Sequence, residues 1–294
     1  MSAFHGDPAI QAALLTRIDQ ALATNALSFG VTRWDAATVQ GSALGISVEG
    51  TNAEHYAERF GYPLALASLL DPLAERMAGE PIAAGAFIRR WVADVAPGAP
   101  LGRAAARLLL WMLETPDVGM DDDPLGRTSI ALHRQWLTDD PPSPKDWFAL
   151  REQILDAEVP LHDFRRKARL ALCEAASWPV DQGGSVLVEA MRYWLDFAAL
   201  EPDADWSDED ERQKEATLAQ LWNEQSDARA AGQPVSYPDL FAAVAPDLET
   251  RFRAHLTRTT ARLPRRAALL GEQCLTLLGA AHAASPAPTG LDLR

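Results

Sequence analysis

Helix-start signals recur along this chain, and apolar residues at helical spacing follow them. Asp7 and Pro8 suit an N-cap and a first helical position, where the amide that proline lacks has no helical partner to lose. Ser143 and Pro144 repeat this arrangement. The apolar residues after Pro8 share one helical face: Ile10, Ala13, Leu14, Ile18 and Leu22. The chain is therefore predicted to form one helix after another.

The first fifty-odd residues contain another kind of helix-start signal and one exception to the helical pattern. Thr51 and Glu54 have the spacing of a capping box, which would start a helix there. Residues 27–34 and 43–48 contain alternating and β-branched side chains at strand length, and they predict one short hairpin. The predicted helices cover about residues 8–24, 51–61, 63–77, 82–95, 101–114, 125–138, 144–157, 161–177, 184–199, 207–230 and 264–281.

The acidic run at 121–123, followed by Pro124, interrupts the helical pattern and is the predicted boundary between two lobes. We expect an N-terminal helical lobe with the hairpin over residues 1–120, a C-terminal helical bundle lobe over 124–284, and a mobile tail over 285–294. The predicted fold class is mainly α, a multi-helix bundle in two packed lobes with one small β-hairpin near the N-terminus.

Charge and cysteine content limit the function classes. The 294 residues carry a net charge of -14 and a pI near 4.8. We therefore expect no direct nucleic-acid binding, whereas a basic protein partner is electrostatically permitted. The two cysteines, Cys173 and Cys274, lie in apolar helical patterns without ligand spacing. Because no leader pattern or long apolar span is visible, a cytoplasmic protein without membrane association is expected; no signal bears on oligomeric state.

Familiar catalytic and cofactor motifs are missing from the sequence. It contains no phosphate-binding glycine loop, hydrolase elbow or zinc-type cluster, so no cofactor and no metal site is expected. The run that begins at Asp203 starts like a calcium loop, but Asp208 stands where the turn glycine is required and Lys214 where the bidentate glutamate is required. An acidic connection between helices is the better interpretation of this run.

The best constellation for chemistry in the sequence lies in the first lobe, at His5, Asp7, His55, Glu58 and Asp71. A histidine paired with a carboxylate can act as an acid–base catalyst, and His55 and Glu58 are one helical turn apart. The favoured interpretation is structural: Asp7 is a helix cap, and His55 and Glu58 form a surface pair. His5, Asp7, His55 and Glu58 are the candidate catalytic residues.

Nine tryptophans occur, and two of them differ from the rest in their surroundings. Trp206 and Trp222 lie among charged residues, which makes them the candidate interface anchors, although ordinary packing is the favoured interpretation. The basic cluster at 165–169 is interpreted as a solvated helix face. Charge complementarity with the acidic connection that begins at Glu201 would be enough to explain its presence.

A series of short segments in the first 120 residues also forms a pattern. Its members are Phe4-His5-Gly6-Asp7-Pro8, the aromatic-rich segment ending at Trp34, Gly41-Ser42-Ala43-Leu44-Gly45-Ile46, His55 with Tyr56 and Glu58, Gly61-Tyr62-Pro63, Asp71, Glu75, and Pro97-Gly98-Ala99 before Leu110-Trp111-Met112-Leu113. Together they resemble an uncharacterised bacterial and phage-associated family of mostly helical proteins. Ser42 and Ile46 stand where that family has cysteines, so no thiol role carries over. The resemblance implies a helical fold, and it does not indicate any particular activity.

These observations favour a non-enzymatic binding or adaptor protein that uses an acidic surface toward a protein partner, with a phage or defence link suggested by the resemblance. The alternative is an enzyme or small-ligand-binding protein with a pocket around the first-lobe histidines and carboxylates. A third hypothesis is a DNA mimic, which would require carboxylates in phosphate-like rows. Convergence of the histidines and carboxylates in a concave, partly buried pocket would favour the enzyme or ligand-binding hypothesis.

Overall fold

The computed structural model describes residues 2–160, 163–181 and 183–281. Within these ranges the chain is mainly α-helical, with two two-residue strands as the only sheet, so the predicted fold class is confirmed. The helices are α1 Pro8–Ala23, α2 Ala43–Val48, α3 Ala53–Phe60, α4 Leu64–Met77, α5 Pro81–Ala93, α6 Ala104–Glu114, α7 Pro124–Trp136, α8 Pro144–Leu155, α9 Phe164–Ala175, α10 Ser185–Asp196, α11 Asp208–Glu224, α12 Ser226–Ala230, α13 Tyr237–Val244 and α14 Pro246–Ala280.

Most helices start where the local signals predict. The carboxylate of Asp7 accepts a hydrogen bond from the Ala9 amide at 2.8 Å, and Pro8 is the first residue of α1. At α8 the carboxylate of Asp146 accepts from the Ser143 amide at 2.7 Å. These contacts are local in sequence, which explains why the sequence alone predicts them.

The hairpin is shorter than predicted, and the prediction of a strand at 43–48 is wrong. Strand β1, Trp34–Asp35, pairs antiparallel with β2, Gln40–Gly41, and residues 43–48 form helix α2. The hydroxyl of Ser42 caps this helix by accepting from the Gly45 amide at 3.1 Å. A Cβ at position 45 would lie 1.9 Å from the Arg33 carbonyl oxygen. The glycine therefore lets α2 rest directly on the chain before the hairpin, a tertiary contact that overrides local strand propensity.

Other helix boundaries also differ from the sequence prediction, and the predicted helix at 207–230 is divided into α11 and α12. The N-cap of α3 is Asn52 rather than Thr51, because the Asn52 side chain accepts from the Glu54 amide at 2.7 Å. The final helix begins at Pro246, so the predicted start at Pro264 is wrong and this proline lies inside α14. A proline inside a helix removes one backbone hydrogen bond, and here helical packing on both sides of it maintains α14 as one element.

Helices α4 and α14 organise the core. Helix α4 contacts α3, α5, α10 and α14, and α14 extends from α13 at one end to α5 and α6 at the other. The main cluster of buried apolar residues includes residues on both sides of the acidic run at 121–123. The division into lobes at this run stays a prediction, and the predicted tail at 285–294 lies outside the described residues.

A second, smaller apolar cluster lies under the acidic connection. Its buried members are Trp206, Leu221, Phe241 and Leu248, so it joins α11, α13 and the first half of α14. Among the residues with described positions, no helix is long and apolar enough to cross a membrane.

Candidate functional site

The four first-lobe candidates lie at the surface. The ring nitrogen Nε2 of His5 is 2.8 Å from the backbone carbonyl oxygen of Glu58, so it donates to α3 through the main chain and not through the carboxylate. Asp7 caps α1, and the side chains of His55 and Glu58 are exposed. Within the described ranges no hydrogen bond joins either histidine to a carboxylate. The structure therefore brings His5 to α3 without forming an imidazole–carboxylate pair.

Asp71 has a different environment from these four residues. It is buried, and its carboxylate accepts from the Thr32 hydroxyl at 2.8 Å and from the Leu44 amide at 3.0 Å. Burial raises the pKa of Asp71, while these hydrogen bonds lower it. The carboxylate anchors the first turn of α2 on α4, which is a structural role.

The structural interpretation of Asp7 makes a direct prediction. We expect Asp7→Ala to lower the free energy of unfolding by about 1 kcal/mol, because the Ala9 amide loses its acceptor, and Asp7→Ser to restore most of it. Urea unfolding of both variants measures this difference. Loss of function in a stably folded Asp7→Ser protein, repeated in His55→Ala, would instead support a first-lobe site.

A concave polar region is formed by other residues, where the acidic connection meets the first half of α14. A cavity of about 440 Å³ is formed by residues of the 199–208 connection, the start of α9, the first turns of α11, and α14 from Phe252 to Thr259. We call it the Asp203 cavity. Its size is within the range of small-ligand sites.

A histidine that is hydrogen-bonded to a carboxylate lines the Asp203 cavity. Oδ2 of Asp203 lies 2.9 Å from Nδ1 of His255 and 2.9 Å from Nε of Arg258. Both Asp203 and His255 are largely buried. The Arg258 guanidinium, with a smaller contribution from His255, holds the pKa of Asp203 well below its usual range. The carboxylate is therefore ionised, and it fixes the position of the imidazole on α14.

The other ring nitrogen of His255 is available. Its Nε2 has no hydrogen-bond partner among the residues that the structure places, although His255 is only 7% exposed. Because the Asp203 carboxylate accepts at Nδ1, the ring proton is assigned to that nitrogen, which leaves the lone pair at Nε2. The indole of Trp206 stacks on the imidazole with ring centroids 5.2 Å apart and planes at 17°, which holds the ring in this orientation.

Carboxylates outnumber cations around the cavity. The lining side chains include Lys214 and Arg165 as cations, against five carboxylates, Asp163, Glu201, Asp203, Asp208 and Glu211. Glu211 is already engaged, since it accepts from Nζ of Lys214 at 2.5 Å and from the Trp206 indole at 3.0 Å. Asp208 and Asp163 form no ion pair within the described part of the chain. Arg258 and Arg262 lie against Asp203 and Glu201, so the unpaired negative charge of the lining is that of Asp208 and Asp163.

Of the two predicted interface tryptophans, one lies inside this site and the other at the surface. Trp206 is buried between His255 and Phe252 and belongs to the wall of the cavity. Trp222 is 54% exposed near the end of α11, where it stacks on Tyr237 and lies 3.6 Å below the Arg229 guanidinium. Their role as interface anchors stays a prediction.

Thr259 lies one helical turn beyond His255 on α14 and contributes to the cavity lining. Its hydroxyl is buried and has no hydrogen-bond partner in the described structure. A buried hydroxyl without a partner costs stability, so Thr259→Val should raise the free energy of unfolding by about 1 kcal/mol. The control is Thr257→Val on the exposed side of α14, which should change it by less than about 0.5 kcal/mol. A loss of stability in Thr259→Val in urea unfolding would show that the hydroxyl is used in the folded protein.

No group of histidine, cysteine and acidic residues suited to holding a metal ion occurs among the described residues. Comparison with known proteins leaves the site to be interpreted on its own geometry, since no family model, no curated protein and no solved structure matches the chain. The family resemblance of the first 120 residues gains no support from these comparisons.

Proposed function

We propose that this protein is a non-enzymatic binding protein that presents the acidic side of α11 and α12 to a basic protein partner. The observation that carries the proposal is a set of exposed carboxylates on these helices, which we call the acidic surface. Its members are Asp208, Glu209, Glu215, Glu224 and Asp227. Residues 201–227 contain ten acidic and two basic side chains, so the excess negative charge of the chain is concentrated there.

The charges of this segment divide into two groups. Those that face α14 are paired inside the protein, with Asp210 at 2.6 Å from Arg251 and Asp203 at 2.9 Å from Arg258. On the exposed side Glu209 pairs with Arg212 at 2.6 Å and Glu215 with Lys214 at 3.3 Å, whereas Asp208, Glu224 and Asp227 form no ion pair within the described structure. Like charges close together on one helix repel each other, and Glu224 also lies in the last turn of α11, where a negative charge is unfavourable to the helix dipole. A basic partner would relieve their repulsion, and this supports a role in binding.

The enzyme alternative has less support. The first-lobe candidates form no histidine–carboxylate pair, and the pair that does occur, Asp203 with His255, has no serine, threonine or cysteine hydrogen-bonded to its free nitrogen among the described residues. A nucleophile–base hydrogen bond is the expected mark of covalent catalysis. The Asp203–His255 pair is therefore better suited to contacting a bound ligand than to activating a nucleophile.

A charge-matched pair of variants tests the proposal. The test variant combines Asp208→Asn, Glu215→Gln, Glu224→Gln and Asp227→Asn; the control combines Asp140→Asn, Glu152→Gln, Asp156→Asn and Asp181→Asn, which are exposed elsewhere. Fluorescence anisotropy of a labelled lysine-rich peptide measures binding. We expect the test variant to weaken binding at least about tenfold and the control less than about twofold, with strong salt dependence. Equal losses in both variants would mean that only net charge matters, and would refute a specific acidic surface.

A further inference from the structure

The Asp203 cavity has a polar base that accepts hydrogen bonds. His255 is held by Asp203 at Nδ1 and by stacking on Trp206, so its Nε2 lone pair has a fixed direction. With the ring proton assigned to Nδ1, Nε2 is an acceptor, and a group that binds there donates an N–H or O–H. Preorganisation of this kind reduces the entropic cost of binding.

The charge of the lining selects between donors. Asp208 and Asp163 line the cavity without ion pairs in the described part of the chain, and Glu201 has only long contacts, 3.7 Å to Arg262 and 3.9 Å to Arg266. A positively charged donor gains from these carboxylates, whereas a neutral hydroxyl does not. The lining therefore favours a cationic donor.

The apolar lining indicates what carries this cation. Phe164, Leu256 and Phe252 line the cavity, and Leu256 is half-exposed. The protein already places one alkylammonium group in this wall, since Nζ of Lys214 lies 5.1 Å from the centroid of the Phe252 ring while it donates to Glu211. The same combination of an aromatic face and a carboxylate suits a second alkyl chain that ends in an ammonium group.

We infer that the Asp203 cavity is a binding site for a primary alkylammonium group, with Nε2 of His255 as the acceptor at its base and the rim carboxylates Asp208 and Glu201 as the opposite charge. An ammonium group fits a single lone pair better than a guanidinium, whose planar fork prefers a carboxylate that accepts two hydrogen bonds. The group can come from a free amine or from a lysine side chain; in the second case the inference rests on the proposed function.

Small probes test this site separately from the acidic surface. N-acetyl-lysine-N-methylamide and pentylamine are titrated into the protein labelled with nitrogen-15 in histidine, with N-acetyl-norleucine-N-methylamide as the neutral control. We expect both amines to shift the His255 ring resonances with a Kd of about 0.1–10 mM, as is reasonable for so few atoms, and the neutral control to bind at least about tenfold more weakly. Equal binding of the neutral control would overturn the inference.

A pair of substitutions at one position assigns the acceptor. His255→Asn keeps a donor near the Nδ1 position for Asp203 and removes the Nε2 acceptor, whereas His255→Gln keeps an amide oxygen near Nε2. We expect amine affinity to fall at least about tenfold in His255→Asn and less than about threefold in His255→Gln. Unchanged affinity in His255→Asn would overturn the assignment. Because Asp208 is exposed, Asp208→Asn serves if neither variant folds, with an expected loss of about threefold against none in Asp140→Asn; equal affinities would also overturn it.

The source of the ammonium follows from one further comparison. A five-residue peptide with a central lysine should bind more tightly than pentylamine if the site takes a side chain of a partner, and more weakly if it takes a free amine. Either order supports the ammonium site. If neither probe binds at 50 mM while the lysine-rich peptide still discriminates the charge-matched variants, the proposed function stands and this inference fails.

Discussion

Lowering the pH from about 6.5 to about 4 is expected to remove about 3 kcal/mol from the free energy of unfolding through His133 alone. This residue is 1% exposed, lies beside Trp147, and its Nε2 donates to the carbonyl oxygen of Ala176 at 2.8 Å. Burial lowers the pKa of His133 from 6.5 to about 4. Between these values the unfolded chain binds more protons than the folded protein, so stability falls as the pH falls.

Urea unfolding at several pH values between 7 and 4.5 measures this effect. The matched variant is His133→Gln, whose side-chain amide can donate to Ala176 and does not titrate. We expect the pH dependence to be much flatter in this variant over that range. Carboxylates with lowered pKa values, such as Asp203 and Asp123, change the stability only at lower pH. They are present in both the unmodified protein and His133→Gln, so they do not affect the comparison. Parallel curves for the two proteins would contradict the account of His133.

Arg266→Met is expected to lower the free energy of unfolding by about 2–3 kcal/mol. The guanidinium of Arg266 is nearly buried in α14 and lies 4.0 Å from the centroid of the Trp194 ring. Its Nε donates to the Trp194 carbonyl oxygen at 2.9 Å, and its Nη1 pairs with Asp117. Methionine retains much of the volume but none of these polar contacts, so the ends of α6 and α10 lose their connection to α14.

The neighbouring Arg265 provides the control for this prediction. It is exposed and forms no ion pair within the described residues, so Arg265→Met should change the free energy of unfolding by less than about 0.5 kcal/mol. Thermal or urea unfolding of the two variants measures the difference. Similar stabilities for Arg265→Met and Arg266→Met would show that the buried ion pair contributes little.

Sequence predicts the helices of this protein well because their start signals are local. The Asp7 carboxylate accepts from the Ala9 amide and the Asp146 carboxylate from the Ser143 amide, and both contacts join residues at most three positions apart. The segment 43–48 was predicted as a strand because its apolar and β-branched content resembles one. Its helical form depends on Asp71 and on the approach to Arg33, which are distant in sequence.

The candidate site also depends on contacts between residues that are distant in sequence, which the sequence alone does not predict. Asp203 and Trp206 lie in the acidic connection that the sequence singles out, but His255 is 52 residues from Asp203 and was not among the candidates. A sequence signal exists in the basic residues of α14 at helical spacing, including Arg251, Arg258 and Arg262, which face the acidic connection. Register between the two segments cannot be read without the fold, because several pairings satisfy the same charges.

The basic cluster at 165–169 gives a further example. Its interpretation as a solvated face complementary to the 201–210 connection is wrong for two members. Arg166 pairs with Asp123 at 2.8 Å and Arg169 with Asp122 at 3.2 Å, so these arginines hold the acidic run before α7. The side chain of Arg169 is only 11% exposed. Charge complementarity was the correct principle, but the partner was the other acidic run.

Zero-length cross-linking tests the central claim most directly. A carbodiimide joins a carboxylate to an amine only when the two are in contact, so mass spectrometry of the complex with the lysine-rich peptide identifies the carboxylates that meet it. We predict that cross-links concentrate on residues 201–227, foremost on Asp208, Glu215 and Glu224 of the acidic surface. Cross-links spread evenly over exposed carboxylates elsewhere, such as Asp140 and Glu152, would contradict the proposal.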